Sequence, residues 1–304
     1  MEYVLETAGL RKQYGHFTAL SNVTMHVPRG AIYGFVGKNG AGKTTLIRVI
    51  CGLQQPTSGS YTLFGTPDTS RNIRVCRKRM SAVVETPSLY LDMTAEENLR
   101  EQYRVLGLPS FKDIPQLLKL VGLESTGKKK AGDFSLGMRQ RLGIAIALAG
   151  DPDLLVLDEP INGLDPQGII EMRELILKLN RERQITVLIS SHILDELSRL
   201  ATHYGFINDG HMVKEISAAE LETASRKCLR AVVTDVKALA RVLDSMDAEY
   251  EIVSSTQADI FSRVGVSTLA IALMRENCEL IALQERDESL ESYFVNLVGG
   301  GGHA

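Results

Sequence analysis

The eight residues Gly37-Lys38-Asn39-Gly40-Ala41-Gly42-Lys43-Thr44 constrain this chain more than any other segment. They match G-x-x-x-x-G-K-[ST] at every fixed position and lie between an apolar strand-like run, Ala31 to Val36, and the helical run LIRVICGL. Strand, glycine-rich loop and helix in that order can cradle phosphate. Glycines permit the tight turn, free N–H groups face phosphate oxygens, and the helix N-terminus adds a favourable dipole. Lys43 is placed to reach β- and γ-phosphates and Thr44 to coordinate Mg2+, with Thr45 the next candidate contact to nucleotide. A glycine-rich turn without ligand is the competing reading, and the complete motif in this context disfavours it.

Leu154-Leu155-Val156-Leu157-Asp158-Glu159 reads as a buried strand with two carboxylates at its carboxyl end, where α/β sheets place ligands. Asp158 would hold Mg2+, directly or through water, and Glu159 would act as general base on the attacking water. Paired carboxylates at a strand end are common, so this segment gains its weight from the first motif.

The wider pattern is α/β. Tyr3 to about Val27 alternates in the manner of antiparallel strands around a turn at Tyr14-Gly15-His16. Between about residues 86 and 150, AEENLREQYRVL, IPQLLKLVGL and GMRQRLGIAIALA show helical spacing and read as an inserted lobe. Strand LLVLD, helix GIIEMRELILKLNRER, strand TVLISS and helix ILDELSRLA then alternate, which predicts a parallel sheet closing near residue 215. Residues 216–298, with a strand from Cys228 to Val233 and a helix from Val236 to Met246, predict a small α+β appendage, and 299–304 a fraying tail.

At 304 residues and 44% hydrophobic, the chain can bury a large core. A net charge of −3 gives no basic excess, so nucleic acid is not an expected partner. Cys51, Cys76, Cys228 and Cys278 lack the spacing of a zinc site or a disulfide framework, which points to a reducing cytoplasm. The amino terminus carries charge in place of an apolar signal core. No stretch reaches the roughly 18 apolar residues of a membrane-spanning helix. Work at a membrane would need another chain to cross it.

Phe134-Ser135-Leu136-Gly137-Met138, ahead of RQRLGIAIAL and of Asp158, resembles the signature of ABC ATPases, usually Leu-Ser-Gly-Gly-Gln. Ser135 and Gly137 are kept; Phe134, Leu136 and Met138 depart. Gly163-Leu164-Asp165-Pro166 resembles the D-loop, and Ser190-Ser191-His192 the switch histidine. The resemblance implies a P-loop NTPase of the ABC class, binding ATP and Mg2+. Its architecture would be a parallel sheet core, an antiparallel β subdomain, an inserted helical subdomain and the appendage. It further implies Tyr14 stacking on adenine, His192 contacting the γ-phosphate, and Asp165 at a dimer interface. Ser135 and Gly137 would act on ATP held by a second ATPase subunit, in a homodimer or heterodimer.

Glu85, after the strand SAVVE, stands where this family usually has a glutamine. A carboxylate there could add a hard ligand to Mg2+ or repel phosphates when the metal is absent. Glu85-Thr86-Pro87, FSLGM and DEPINGLDPQGIIEMR together resemble the bacitracin-resistance and lantibiotic-immunity group of ABC exporter ATPases, over about residues 1 to 215. The chain is therefore expected to be a peripheral subunit on the inner face of the cell membrane. It would drive a separate transmembrane permease that exports a peptide antibiotic or another lipophilic solute. A soluble ABC ATPase of translation or DNA repair usually has two cassettes or a long coiled coil, and neither is present. A nucleotide kinase would share the lysine loop but not the signature, D-loop or histidine.

Overall fold

The computed structural model describes residues 2–224, 228–286, 293–295 and 297. The first of two compact units spans Met1–Ala218. In it β1 (Tyr3–Tyr14) and β2 (Phe17–Pro28) form a hairpin, and β3 (Ile32–Val36) leads through the glycine loop into α1 (Lys43–Ile50). Next come β4 (Ser58–Leu63), β5 (Thr66–Pro67), α2 (Ile73–Arg77) and β6 (Met80–Val83). Helices α3 (Ala95–Leu106), α4 (Ile114–Leu120) and α5 (Leu136–Leu148) form the lobe expected between 86 and 150. The unit closes with β7 (Leu154–Asp158), α6 (Pro166–Arg183), β8 (Thr186–Ser191), α7 (Leu194–Ser198), β9 (His203–Asn208) and β10 (His211–Ser217).

Strands β2-β1-β4-β5 form an antiparallel sheet, and β10-β9-β3-β8-β7-β6 a six-stranded one. In the larger sheet β9, β3, β8, β7 and β6 run parallel, while β10 pairs antiparallel as an edge. β7 and β8 are buried throughout, which is why LLVLD and TVLISS read as continuous runs and not as alternations. Pairing of Ser217 with His203 carries β10 beyond residue 215, so the unit boundary falls at Ala218.

Helix α1 is apolar because it is enclosed. Leu46, Ile47, Val49 and Ile50 share one buried cluster with Val23, Met25 and Leu63 of the antiparallel sheet and with Leu154 and Val156 of β7. Helix α3 starts at a reciprocal cap in which Thr94 Oγ1 accepts from the Glu97 N–H and the Glu97 carboxylate accepts from the Thr94 N–H. Buried Asn98 fixes the preceding loop, its amide donating to the carbonyls of Tyr90 and Thr94 and its oxygen accepting from the Tyr90 N–H. Tyr90 and Leu91 remain exposed.

The second unit begins at Ala219. After α8 (Ala218–Ala224), it holds β11 (Cys228–Val233), α9 (Val236–Ser245), β12 (Tyr250–Ser254), β13 (Gln257–Ile260), α10 (Val266–Arg275) and β14 (Leu280–Arg286). The sheet order β12-β13-β11-β14, all antiparallel, is the β-α-β-β-α-β arrangement. Leu239, Leu243, Leu269 and Leu273 pack with Ala231, Val233, Ala258 and Ile260 in its own core. The 299–304 tail lies outside the described residues.

Candidate nucleotide site

The glycine loop is shaped by what surrounds it. A Cβ at Gly37 would stand 2.6 Å from the Ile207 carbonyl oxygen of β9. At Gly42, with φ of 105°, it would stand 2.7 Å from that of Ala19. The turn between β9 and β10 supports the loop from outside: Gly210 N–H donates to Ala41 O (3.0 Å), and Ser21 N–H donates to Gly210 O (2.8 Å). Lys38, Asn39 and Gly40 form the exposed rim, Ala41 is buried, and Thr44 and Thr45 lie half-buried in the first turn of α1.

Lys43 is only 5% exposed. Its Nζ donates to the carbonyls of Gly37 (2.6 Å) and Lys38 (3.2 Å) and stands 3.1 Å from Glu159 Oε1. The other oxygen of Glu159, Oε2, is 2.7 Å from His192 Nδ1. Glu159 has φ of 51°, a left-handed conformation that costs a non-glycine residue about 1–3 kcal/mol and persists where surroundings enforce it. The enforcing group is Ser190. Its Oγ donates to Asp158 Oδ1 (2.6 Å) and accepts from the Glu159 N–H (3.0 Å). Ser190 is fully buried at the end of β8. The sequence offered it as part of the histidine motif without assigning it this role; a serine pair closing an apolar strand was the available signal.

The structure thus gathers Lys43, Asp158, Glu159 and His192. Tyr14 ends β1 with its ring partly exposed, Lys12 Nζ lying 5.1 Å from the ring centroid and the Tyr14 hydroxyl donating to Gln54 Oε1. Ser135 and Asp165 are helix caps: Ser135 Oγ accepts from Met138 N–H (3.2 Å), and Asp165 Oδ1 from Gly168 N–H (3.0 Å). A Cβ at Gly137 would be 3.7 Å from a Leu164 methyl, and one at Gly163 3.2 Å from a Leu136 methyl, so the segments that resemble the signature and the D-loop adjoin. No hydrogen bond or ion pair joins Ser135 to the Lys43 group among the described residues. Glu85, expected at the metal, is instead paired with the Arg48 guanidinium in the last turn of α1. Beside the site, burial pushes the Cys51 thiol up to about 12, Asp158 adding to the effect, so it is not a nucleophile at neutral pH.

The donors fit Mg2+. That ion takes hard oxygens in the form of one or two carboxylates plus substrate phosphates, and keeps several waters. Asp158 and the Thr44 hydroxyl are such donors, and among the described residues no cluster of three or more His, Cys, Asp or Glu forms an all-protein cage.

A family model described as "ABC transporter" matches residues 20–162. The bacitracin transport ATP-binding protein BcrA of Enterococcus faecalis is 40% identical over 309 residues, covering 100% of this chain and 99% of its own length. The lantibiotic transport ATP-binding protein SrtF of Streptococcus pyogenes is 43% identical over 212 residues, 70% of this chain and 90% of its own. Among solved structures, an ATP-binding cassette of an ABC transporter in its ADP conformation is similar with TM-score 0.66 and 26% identity, covering 74% of this chain and 94% of its own. A dimeric cassette in a post-hydrolysis state, bound to ADP and Pi, is similar with TM-score 0.63 and 25% identity, covering 70% and 98%. A glycine loop closed by Lys43, a carboxylate pair at the end of β7 and a whole-length relative at 40% identity agree: this chain belongs to the ATP-binding proteins of the ABC transporter family.

Proposed function

We propose that this chain binds and hydrolyses ATP to drive export through a separate membrane permease, with a peptide antibiotic as the cargo class. The observation that carries the reading is the Lys43–Glu159–His192 group, in a chain whose whole length, appended unit included, aligns with a bacitracin transport ATP-binding protein. No helix among the described residues is long and apolar enough to cross a membrane, so the crossing is assigned to the partner. The chain would sit on the inner face of the membrane, docked to that partner.

In the structure Lys43 and Glu159 neutralise each other. A triphosphate seated in the loop offers Lys43 a denser anion, and Glu159 is released to accept a proton from the attacking water. His192 Nδ1 keeps the other carboxylate oxygen in place. Water adds to the γ-phosphorus, the bond to the bridging oxygen breaks, and ADP and phosphate leave. Thr44 and Asp158 would hold Mg2+, which would supply charge neutralisation at the phosphates. Glu85 is the further candidate ligand. Tyr14 offers its ring to the base. Ser135, Gly137 and Asp165 would serve the nucleotide of a second copy or a paralogue, since an ATP closed between two subunits is met by one chain's lysine loop and the other's signature.

Glu159→Gln should keep ATP binding and lower turnover by on the order of 10²-fold or more, the range for a lost general base. Purified from detergent-solubilised membranes with ATP and Mg2+, that variant should retain a polytopic membrane protein in stoichiometric amount. Recovery with ribosomes or nucleic acid would refute the transport assignment. Undiminished turnover would refute the role of Glu159.

A further inference from the structure

Residues 84–88 carry the chain out of β6 toward the helical lobe, and two contacts pin them to different helices. At Glu85 the carboxylate pairs with Arg48 on α1. Two residues on, Pro87 lies against α5: a Cβ added at Gly143 would stand 2.6 Å from Pro87 Cβ and 2.7 Å from its Cγ. Helix α1 begins at Lys43, and α5 begins beside Ser135. A strap of three residues therefore ties the helix that presents the phosphate lysine to the helix that presents the signature.

The strap is held under constraint. Glu85 has φ of 60°, a conformation sparsely populated by non-glycine residues and kept only where neighbours impose it. Pro87 contributes a fixed φ and no N–H. The side-chain group available to impose the bend at Glu85 is the Arg48 guanidinium, whose geometry suits a carboxylate. The pair is substantially solvent-exposed, so it adds little to folding stability, and its consequence lies in placement.

We propose that Arg48 is a positioning residue of this ATPase: by holding Glu85 it sets the strap, and through Pro87 it sets α5, so that events at Lys43 reach the signature of the same chain. The proposal rests on the ATPase reading above. It assigns to Glu85 a structural task that its chemistry as a metal ligand does not require, and the two tasks separate experimentally.

Steady-state hydrolysis by the full chain is measured for Arg48→Met, Arg48→Lys, Glu85→Ala, the Arg48→Met/Glu85→Ala double variant and the exchanged pair Arg48→Glu/Glu85→Arg. Arg48→Met and Glu85→Ala should each lower kcat on the order of ten-fold through misplacement, with KM for ATP and the unfolding midpoint little changed. Arg48→Lys should recover part of the loss. The double variant should be no worse than either single one. The exchanged pair restores the strap without a carboxylate at position 85, so its hydrogen exchange over residues 84–93 should return to the wild-type rate. Wild-type kcat in Arg48→Met, additive losses, or an exchanged pair with the faster exchange of the singles would overturn the proposal. Hydrogen exchange of residues 84–93 reads the strap without nucleotide: faster exchange in Arg48→Met supports it, and unchanged exchange sinks it. Failure of the ATPase reading itself would appear differently, as no hydrolysis by the unaltered chain.

Discussion

One hydroxyl governs the geometry of two carboxylate residues. Ser190 Oγ bonds the Asp158 carboxylate and the Glu159 backbone at once, and burial gives it no water to exchange for either partner. Removing it leaves Asp158 Oδ1 without that donor and the Glu159 N–H with the Ser190 carbonyl oxygen (3.2 Å) alone to hold the strained backbone. Ser190→Ala should therefore lower kcat by roughly 10–100-fold, the usual range for a lost outer-shell partner. The effect on ATP affinity in the absence of Mg2+ should be small. Equal kcat in the two proteins would remove Ser190 from this role. Lys43, Asp158, Glu159 and His192 were legible because each sits in a short motif with its own spacing. The tasks of Ser190 and Arg48 were not, because their partners lie 32 and 37 positions away and only the fold brings them together.

Among elements, the β9–β10 hairpin shows what pattern reading loses. Asp209 and Gly210 have φ of 46° and 77°, the two-residue turn that Asp-Gly favours. The signal was present, but the flanking strands show no clean alternation, since β9 is mostly buried while β10 is a half-exposed edge. The turn is also a brace for the phosphate loop. Gly210→Ala would combine a left-handed alanine with a Cβ 2.8 Å from the Ala19 carbonyl oxygen. It should cost about 1–3 kcal/mol in urea unfolding and weaken ATP binding as well. Loss of stability with ATP affinity intact would mean that the loop holds its shape unaided. Helices α1, α3, α5 and α6 were readable within a few residues. The last helical run of this unit, ILDELSRLA, promises helix to residue 201, and α7 stops three residues earlier at Ser198.

For the whole molecule, each of the two units has its own buried core, so each is expected to unfold as its own cooperative step. Calorimetry should resolve two transitions. ATP at about 100 times its dissociation constant should raise only the transition of the nucleotide unit, by about 2.7 kcal/mol. A single transition, or an equal rise in both, would show that the units unfold together. The sheet order has one more consequence, in time. The Ile207 carbonyl and side chain that close in behind Gly37 are synthesised about 170 residues after it. At roughly 5–20 residues per second, the glycine loop emerges from the ribosome on the order of ten to thirty seconds before the strand that sets its shape. A nascent chain is therefore unable to engage nucleotide in the finished geometry until the first unit is almost fully made.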